Sequence, residues 1–214
     1  MWNELPSPGC TPDPGDTSTA RIVPRIAPRV SRRPKNGLSA TELETHPPLL
    51  LLSTMPETAR LANHLRRTFD GPMWHGPALN ELLTAIPVAH ATARQVPHAH
   101  TIAELVLHMT AWANIARDRL RGTASTEVRT EEDWPPVNAL DDRAWKDAIA
   151  RLRASYDELA TAVEALDDAA LRETVAGRDH SVRAMLHGVI EHGVYHGGQI
   201  ALLKRAVEGA PPSR

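Results

Sequence analysis

The chain has 214 residues, a formal net charge of -2 and a single cysteine, Cys10. That size suits one domain with an appendage, that charge gives no support to a nucleic-acid partner, and one cysteine excludes a disulfide framework or a cysteine zinc cage. No apolar run approaches the length of a membrane span and no signal-peptide pattern opens the chain, so the expected compartment is the reducing cytoplasm, with no membrane partner.

Residues 1–54 hold nine of the 18 prolines and one aromatic residue, Trp2. Arg21 to Lys35 carries six basic side chains and no acid. Proline at that density blocks helix and sheet alike, which predicts a disordered tail. A solvated tail, an anion-binding arm and a start-site artefact, with translation beginning at Met55, are the competing accounts.

From Met55 onward the apolar period is helical. Leu61, Leu65 and Phe69 share a face, and Gly71-Pro72 stops that run. Leu79, Leu82, Leu83 and Ile86 form a second, short run ending near Pro87. Thr101-Ile102-Ala103-Glu104 is a capping box opening a helix to about Arg121, with the stripe Leu105, His108, Met109, Trp112 and Ile115. A polar connection of roughly 17 residues follows, containing Glu131-Glu132-Asp133-Trp134-Pro135-Pro136. Between Asp141 and Leu166 the spacing of Trp145, Ile149, Leu152, Tyr156, Leu159, Val163 and Leu166 is that of a bundle seam. Asp167 to His180 reads as a loop, with Ser181 the N-cap of a last helix over residues 182–207 and a disordered tail at 208–214. Four long helical segments without a credible strand give an all-α fold, a four-helix bundle over 55–207. The long link permits a crossover that leaves the second and third major helices parallel.

The chemistry concentrates in the last helix, in Glu191-His192-Gly193-Val194-Tyr195-His196-Gly197-Gly198-Gln199. Two histidines four apart lie about 40° from each other around a helix and about 6 Å apart along it, so both project from one face. Imidazoles placed so can chelate one metal ion. His108, on a buried stripe of another helix, is the candidate third ligand. A lone histidine on such a stripe is more often a core residue with one hydrogen bond. Facing helices that each contribute inward histidines are, however, how bundles build metal sites, and three imidazoles leave positions open for water or substrate. Zn, Ni, Fe, Cu and Co all suit such ligands. Gln199 lies on the same face and is a candidate for orienting a ligand. His75, before Gly76-Pro77, is a candidate for lining the pocket. His187 faces elsewhere, and Tyr195 is expected to pack against or hydrogen-bond a partner helix. Gly188, Gly193, Gly197 and Gly198 cost about 1 kcal/mol each against alanine, a cost that close helix approach or room beside an ion would offset.

Four blocks, taken in order, resemble the DinB/YfiT-like family over about residues 55–207. They are Trp74-His75-Gly76-Pro77, His100 through His108, Asp133-Trp134-Pro135-Pro136, and Leu186 through Ile200. The resemblance implies an up-down-down-up four-helix bundle and a metal triad that falls by motif on His108, His192 and His196. The family more often has a bulkier polar residue where Gly193 stands and alanine where Gly197 stands, departures that would widen the pocket. Its members include proteins labelled metal-dependent hydrolases, thiol-dependent S-transferases and a mycothiol-dependent isomerase. The implied activity is therefore that of a divalent-metal enzyme acting on a small-molecule substrate, with a low-molecular-weight thiol co-substrate or water as nucleophile; a homodimer is reasonable on the same ground. A non-catalytic metal- or ligand-binding stress protein and a metal-free, structural dimeric bundle are the alternatives.

Overall fold

A computed structural model describes residues 55–124 and 127–208. The expectations for residues 1–54 and for the extreme C-terminus lie outside the described residues. Among the described residues the fold is all-helical, without a named strand. The elements are α1 (Glu57–Asp70), α2 (Leu79–Leu83), α3 (Val88–Thr92), α4 (Ile102–Leu120), α5 (Thr130–Asp133), α6 (Asp142–Glu164), a 3-10 turn (Ala170–Arg172) and α7 (Val182–Glu208). No described helix is long and apolar enough to cross a membrane.

The four long helices begin where local chemistry permits. Thr101 Oγ1 accepts from the Glu104 N–H (3.2 Å) while Glu104 Oε2 accepts from the Thr101 N–H (2.7 Å), closing the capping box of α4. Asp141 Oδ1 accepts from the Ala144 N–H and Ser181 Oγ from the Ala184 N–H, capping α6 and α7. At α1 the preceding residue is Pro56, which cannot cap through its side chain. The first N–H groups of α1, those of Glu57 and Thr58, are instead taken by the carboxylate of Asp168, just beyond α6, at 2.9 Å each.

Side-chain contacts fix how the long helices lie. Along α1 and α6, Asp70 meets Arg153, Arg66 meets Glu164, and the start of α1 meets Asp168. Arg117 near the end of α4 pairs with Glu158 near the end of α6. Arg183 at the start of α7 pairs with Glu57 at the start of α1. Between these helices lies one apolar core including Leu65, Phe69, Leu105, Met109, Leu152, Tyr156, Leu159, Leu186 and Ile200. Small residues Ala113 and Ala116 fill the second half of α4's buried face, where Trp112 and Ile115 are only half-buried.

Two short helices interrupt stretches expected to be loop. Beyond Pro87, α3 is a single turn, anchored where Trp145 Nε1 donates to the Ile86 carbonyl (2.8 Å). Within the long connection, α5 forms where Glu132 reaches back to the Arg129 N–H (3.1 Å). Helices this short are unstable alone, so tertiary contacts hold them.

Candidate metal centre

The capping box sets the register of α4, which turns His108 inward beside Leu105 and Met109. The Ser181 cap does the same for α7, whose His192 and His196 face α4. The three imidazoles meet. His192 Nε2 lies 2.9 Å from His108 Nε2 and 2.9 Å from His196 Nε2. His108 and His196 are buried (6% and 5% exposed), and His192 is half-buried.

Each buried ring is oriented by a carbonyl oxygen on its far side. His108 Nδ1 donates to the backbone carbonyl of Asp133 (2.6 Å), and His196 Nδ1 donates to Gln199 Oε1 (2.6 Å). Asp133, the last residue of α5, is itself fixed, because its Oδ1 accepts from Trp112 Nε1 at 2.7 Å. Trp134 stacks on the His108 ring with centroids 3.8 Å apart, and His100 stacks on Trp134 at 3.5 Å. Gln199 Nε2 donates to the Tyr195 hydroxyl at 3.1 Å. Metal-ligating histidines are oriented by such outer partners, which fix tautomer and ring angle.

The tautomers follow from these bonds. A carbonyl oxygen only accepts, so Nδ1 carries the ring proton in His108 and His196, and both Nε2 atoms present lone pairs. His192 Nε2 faces both. One N–H there could satisfy one lone pair and not the other, whereas a shared cation satisfies all three. Burial also pushes the three imidazoles toward the neutral form that binds metal. It lowers His192 to about 3, aided by the neighbouring His196 and His108, and His196 to about 4, with Gln199 opposing. His108 is lowered by burial, with the Asp133 carbonyl opposing. Three neutral nitrogen ligands fit a transition-metal dication and leave coordination positions free.

Other residues singled out in the sequence fall in different places. His75 is exposed and lines a separate cleft of about 280 Å³ with Thr68, Leu82, Gly193 and Gly197, which none of the three imidazoles borders. Gln199 is at the centre, but it holds a ring in place from behind. Tyr195 does not pack on a partner helix: it is 61% exposed, and its hydrogen bond is to Gln199 one turn on. Gly193 does not make room beside the imidazoles. A Cβ there would lie 2.5 Å from the Tyr156 hydroxyl and 2.8 Å from Thr68 Cγ2, so this glycine permits close approach of α1 and α6. His187 is exposed, as its angle on the helix requires. Sequence reasoning gave Asp133 and Trp134 no role at the site. The available signal was a tryptophan in a polar connection followed by two prolines, because so large an apolar ring needs a surface to cover.

A model of the DinB superfamily matches residues 74–200, more than half of the chain. The chain belongs to the DinB superfamily. No curated protein and no solved structure matches it. The segment matched to the DinB superfamily contains all three imidazoles, the Asp133-Trp134 pair and Gln199. The unit recognised as DinB-like is thus the one that carries the complete cluster.

Proposed function

We propose that this DinB-family protein is a divalent-metal enzyme, a thiol S-transferase or hydrolase, built as an up-down-down-up bundle around His108, His192 and His196. The contacts Asp70–Arg153, Arg117–Glu158 and Arg183–Glu57 support that topology, with α4 parallel to α6 and α1 parallel to α7. The observation that carries the metal reading is the convergence of three Nε2 atoms while the Nδ1 atoms of His108 and His196 are committed to carbonyl oxygens. A Zn, Ni or Fe dication held there would supply Lewis acidity, lowering the pKa of a thiol or water brought to its open positions.

The chain's own residues hold and orient. Trp134 covers one face of His108 and keeps solvent from it. Asp133 and Gln199 keep the Nδ1 protons of His108 and His196 pointing away from the centre. Both stand behind the rings: Asp133 Oδ1 accepts from Trp112 Nε1 and lies 3.2 Å from His108 Nδ1, and Gln199 is an amide whose Oε1 faces His196 Nδ1. Among the described residues the candidate ligand group consists of these three imidazoles, and the nearest named carboxylate, that of Asp133, lies behind His108, with Oδ1 3.2 Å from its Nδ1. A poor leaving group such as an amine, bound on the Nε2 side of the imidazoles, would therefore find no carboxylic acid among the candidate ligands to protonate it. That favours thiolate attack on a small electrophile over amide hydrolysis. Activated esters, whose leaving groups depart unprotonated, remain within reach of the hydrolase reading. A low-molecular-weight thiol as co-substrate and a reducing, cytoplasmic compartment accord with each other and with the single cysteine.

The test begins with metal analysis of protein purified without an affinity tag. About one equivalent of a transition metal is expected, and fewer than about 0.3 equivalents would sink the site. The loaded protein is then assayed with glutathione, bacillithiol or mycothiol plus an electrophile, and separately with esters and amides. Thiol-dependent turnover supports the transferase, ester turnover alone the hydrolase, and no turnover in either panel a binding protein.

A further inference from the structure

We propose that Arg119 and Arg178 form an anion subsite for a carboxylate of the small molecule that reacts at the imidazoles. The inference rests on the metal reading of His108, His192 and His196 only for where the reacting end of that molecule lies.

Arg119 is in the last turn of α4, eleven residues after His108. That spacing is close to three turns and leaves the two side chains about 20° apart around the helix, on one face. The neighbouring Arg117 and Arg121 both meet Asp118, and Arg117 also meets Glu158. Arg119 meets no carboxylate among the described residues; its guanidinium stands 5.6 Å from the centre of the Trp112 ring. That ring is 6.2 Å from the ring of His192, so one indole separates Arg119 from the imidazoles.

A half-buried guanidinium ordinarily pairs with an acid, which replaces its lost hydration. Arg119 has the reverse surroundings. Burial pushes it below its usual range, and the charge of Arg178, carried by the loop before α7, pushes it the same way. The dipole of α4 favours a cation at this end, but Arg117 already stands in the same turn. Two neighbouring guanidinium groups present the forked N–H donors that match the two oxygens of a carboxylate.

The way between this pair and the imidazoles is open on the α7 side. Gly188 lies one turn before His192, about 40° around the helix, and a Cβ there would meet nothing within 4 Å. On α4 the half-buried Trp112 and Ile115 occupy the stripe between His108 and Arg119. A ligand along this strip rests its apolar body on the indole, with its carboxylate at the arginines and its reacting atom on the Nε2 side of His192. The arrangement therefore selects acidic small molecules over neutral ones of the same length. The carboxylate belongs either to the thiol or to the electrophile.

The full chain as purified is titrated with succinate at constant ionic strength and read by the rise in melting temperature, with succinamide as the uncharged control. Succinate should stabilise the wild type and succinamide should not. Arg119→Gln should weaken succinate binding at least tenfold, Arg178→Gln should act in the same direction, and Arg119→Lys, which keeps the charge without the fork, should retain part of it. Circular dichroism and metal content are measured on the same samples; a folded wild type that binds succinate without metal fails the metal reading and not this one. In a second arm glutathione and its diethyl ester replace succinate, read by calorimetry. At least tenfold tighter binding of glutathione, lost in Arg119→Gln, assigns the carboxylate to the thiol, and equal affinities assign it to the electrophile. Succinate that stabilises no more than succinamide, or succinate binding unchanged in Arg119→Gln, would overturn the proposal.

Discussion

α7 presents two inward surfaces that solve opposite problems. Toward α4 it offers His192 and His196, polar groups whose proximity in a buried place is unfavourable unless something binds them. Toward α1 and α6 it offers Gly193, where the absence of a side chain lets Tyr156 and Thr68 close in. Residues 192 and 193 are neighbours in sequence, yet one joins the imidazole cluster and the other lies where Tyr156 and Thr68 leave no room for a Cβ. The lesson is that precision on the ligand side depends on rigidity on the packing side: a helix that could shift toward α1 could not hold His192 Nε2 2.9 Å from His108 Nε2 on α4. Substitutions on the two surfaces should accordingly have separable effects.

The largest effect is expected from His192→Ala. With one of three ligands gone, metal affinity should fall ~100-fold or more. Helicity should be largely retained, because the core on the other side of α7 is untouched. Metal content and far-ultraviolet circular dichroism of the same sample check both halves. Collapse of the helical signal would mean that the ion is structural.

On the packing side, Gly193→Ala should destabilise the fold by about 2 kcal/mol, since its Cβ would lie 2.5 Å from the Tyr156 hydroxyl and 2.8 Å from Thr68 Cγ2, both on buried side chains that must shift. Gly188→Ala, on the same helix but with nothing within 4 Å of its Cβ, should stabilise by about 0.5–1 kcal/mol through helix propensity. Thermal denaturation of the two variants should thus move in opposite directions. Equal shifts would show that the close approach at Gly193 is not limiting.

Acid separates the two surfaces in another way. In the unfolded chain the histidines titrate near 6.5, whereas burial lowers His192 to about 3 and His196 to about 4. Between those values the unfolded chain binds more protons, so stability rises with pH. The metal-free protein should keep this contribution above about pH 6.5 and lose it progressively as pH falls toward 3. Melting temperatures measured between pH 7.5 and 4.5 should show the loss, with a shallower slope in His192→Ala. A slope unchanged by that substitution would refute the assignment.

Gln199→Leu tests the support behind the ligand. It leaves all three imidazoles in place and removes the acceptor that fixes the His196 tautomer. Metal affinity should drop by about 10- to 100-fold with the fold intact. An unchanged affinity would show that packing alone orients the ring.

These contrasts explain what was legible in the sequence. The long helices were, because their apolar spacing and the caps at Thr101 and Ser181 are local signals. His192 and His196 were, because four residues on a helix is a geometric statement. His108 required an assumption about which faces meet, and the buried stripe around it supplied one. Asp133 and Trp134 were not placed at the centre because α5 owes its position to contacts with α4 that no local pattern records. The role of Gly193 was also hidden: a glycine in a helix signals that something comes close, but not from which side. Tyr195 was assigned to a helix interface, whereas in the chain itself it is exposed.

The smallest effect is predicted where the packing side is least perfect. The Tyr156 hydroxyl is fully buried, has no hydrogen-bond partner, and lies where a Cβ on Gly193 would come within 2.5 Å. Burial raises its pKa, since nothing nearby would stabilise a phenolate, so the group remains neutral. A buried hydroxyl without a partner costs about 1–3 kcal/mol in lost hydration. Tyr156→Phe keeps the ring, which packs near Phe69 at 6.5 Å between centroids, and deletes only the unsatisfied oxygen. Its stability should therefore match or exceed that of the parent by up to about 1 kcal/mol, with metal content unchanged. Combined with Gly193→Ala, it should recover part of the loss, because the closest clash is with that oxygen. A clearly destabilised Tyr156→Phe would mean that the hydroxyl has a partner in solution, and would place a polar contact where Gly193 meets Tyr156.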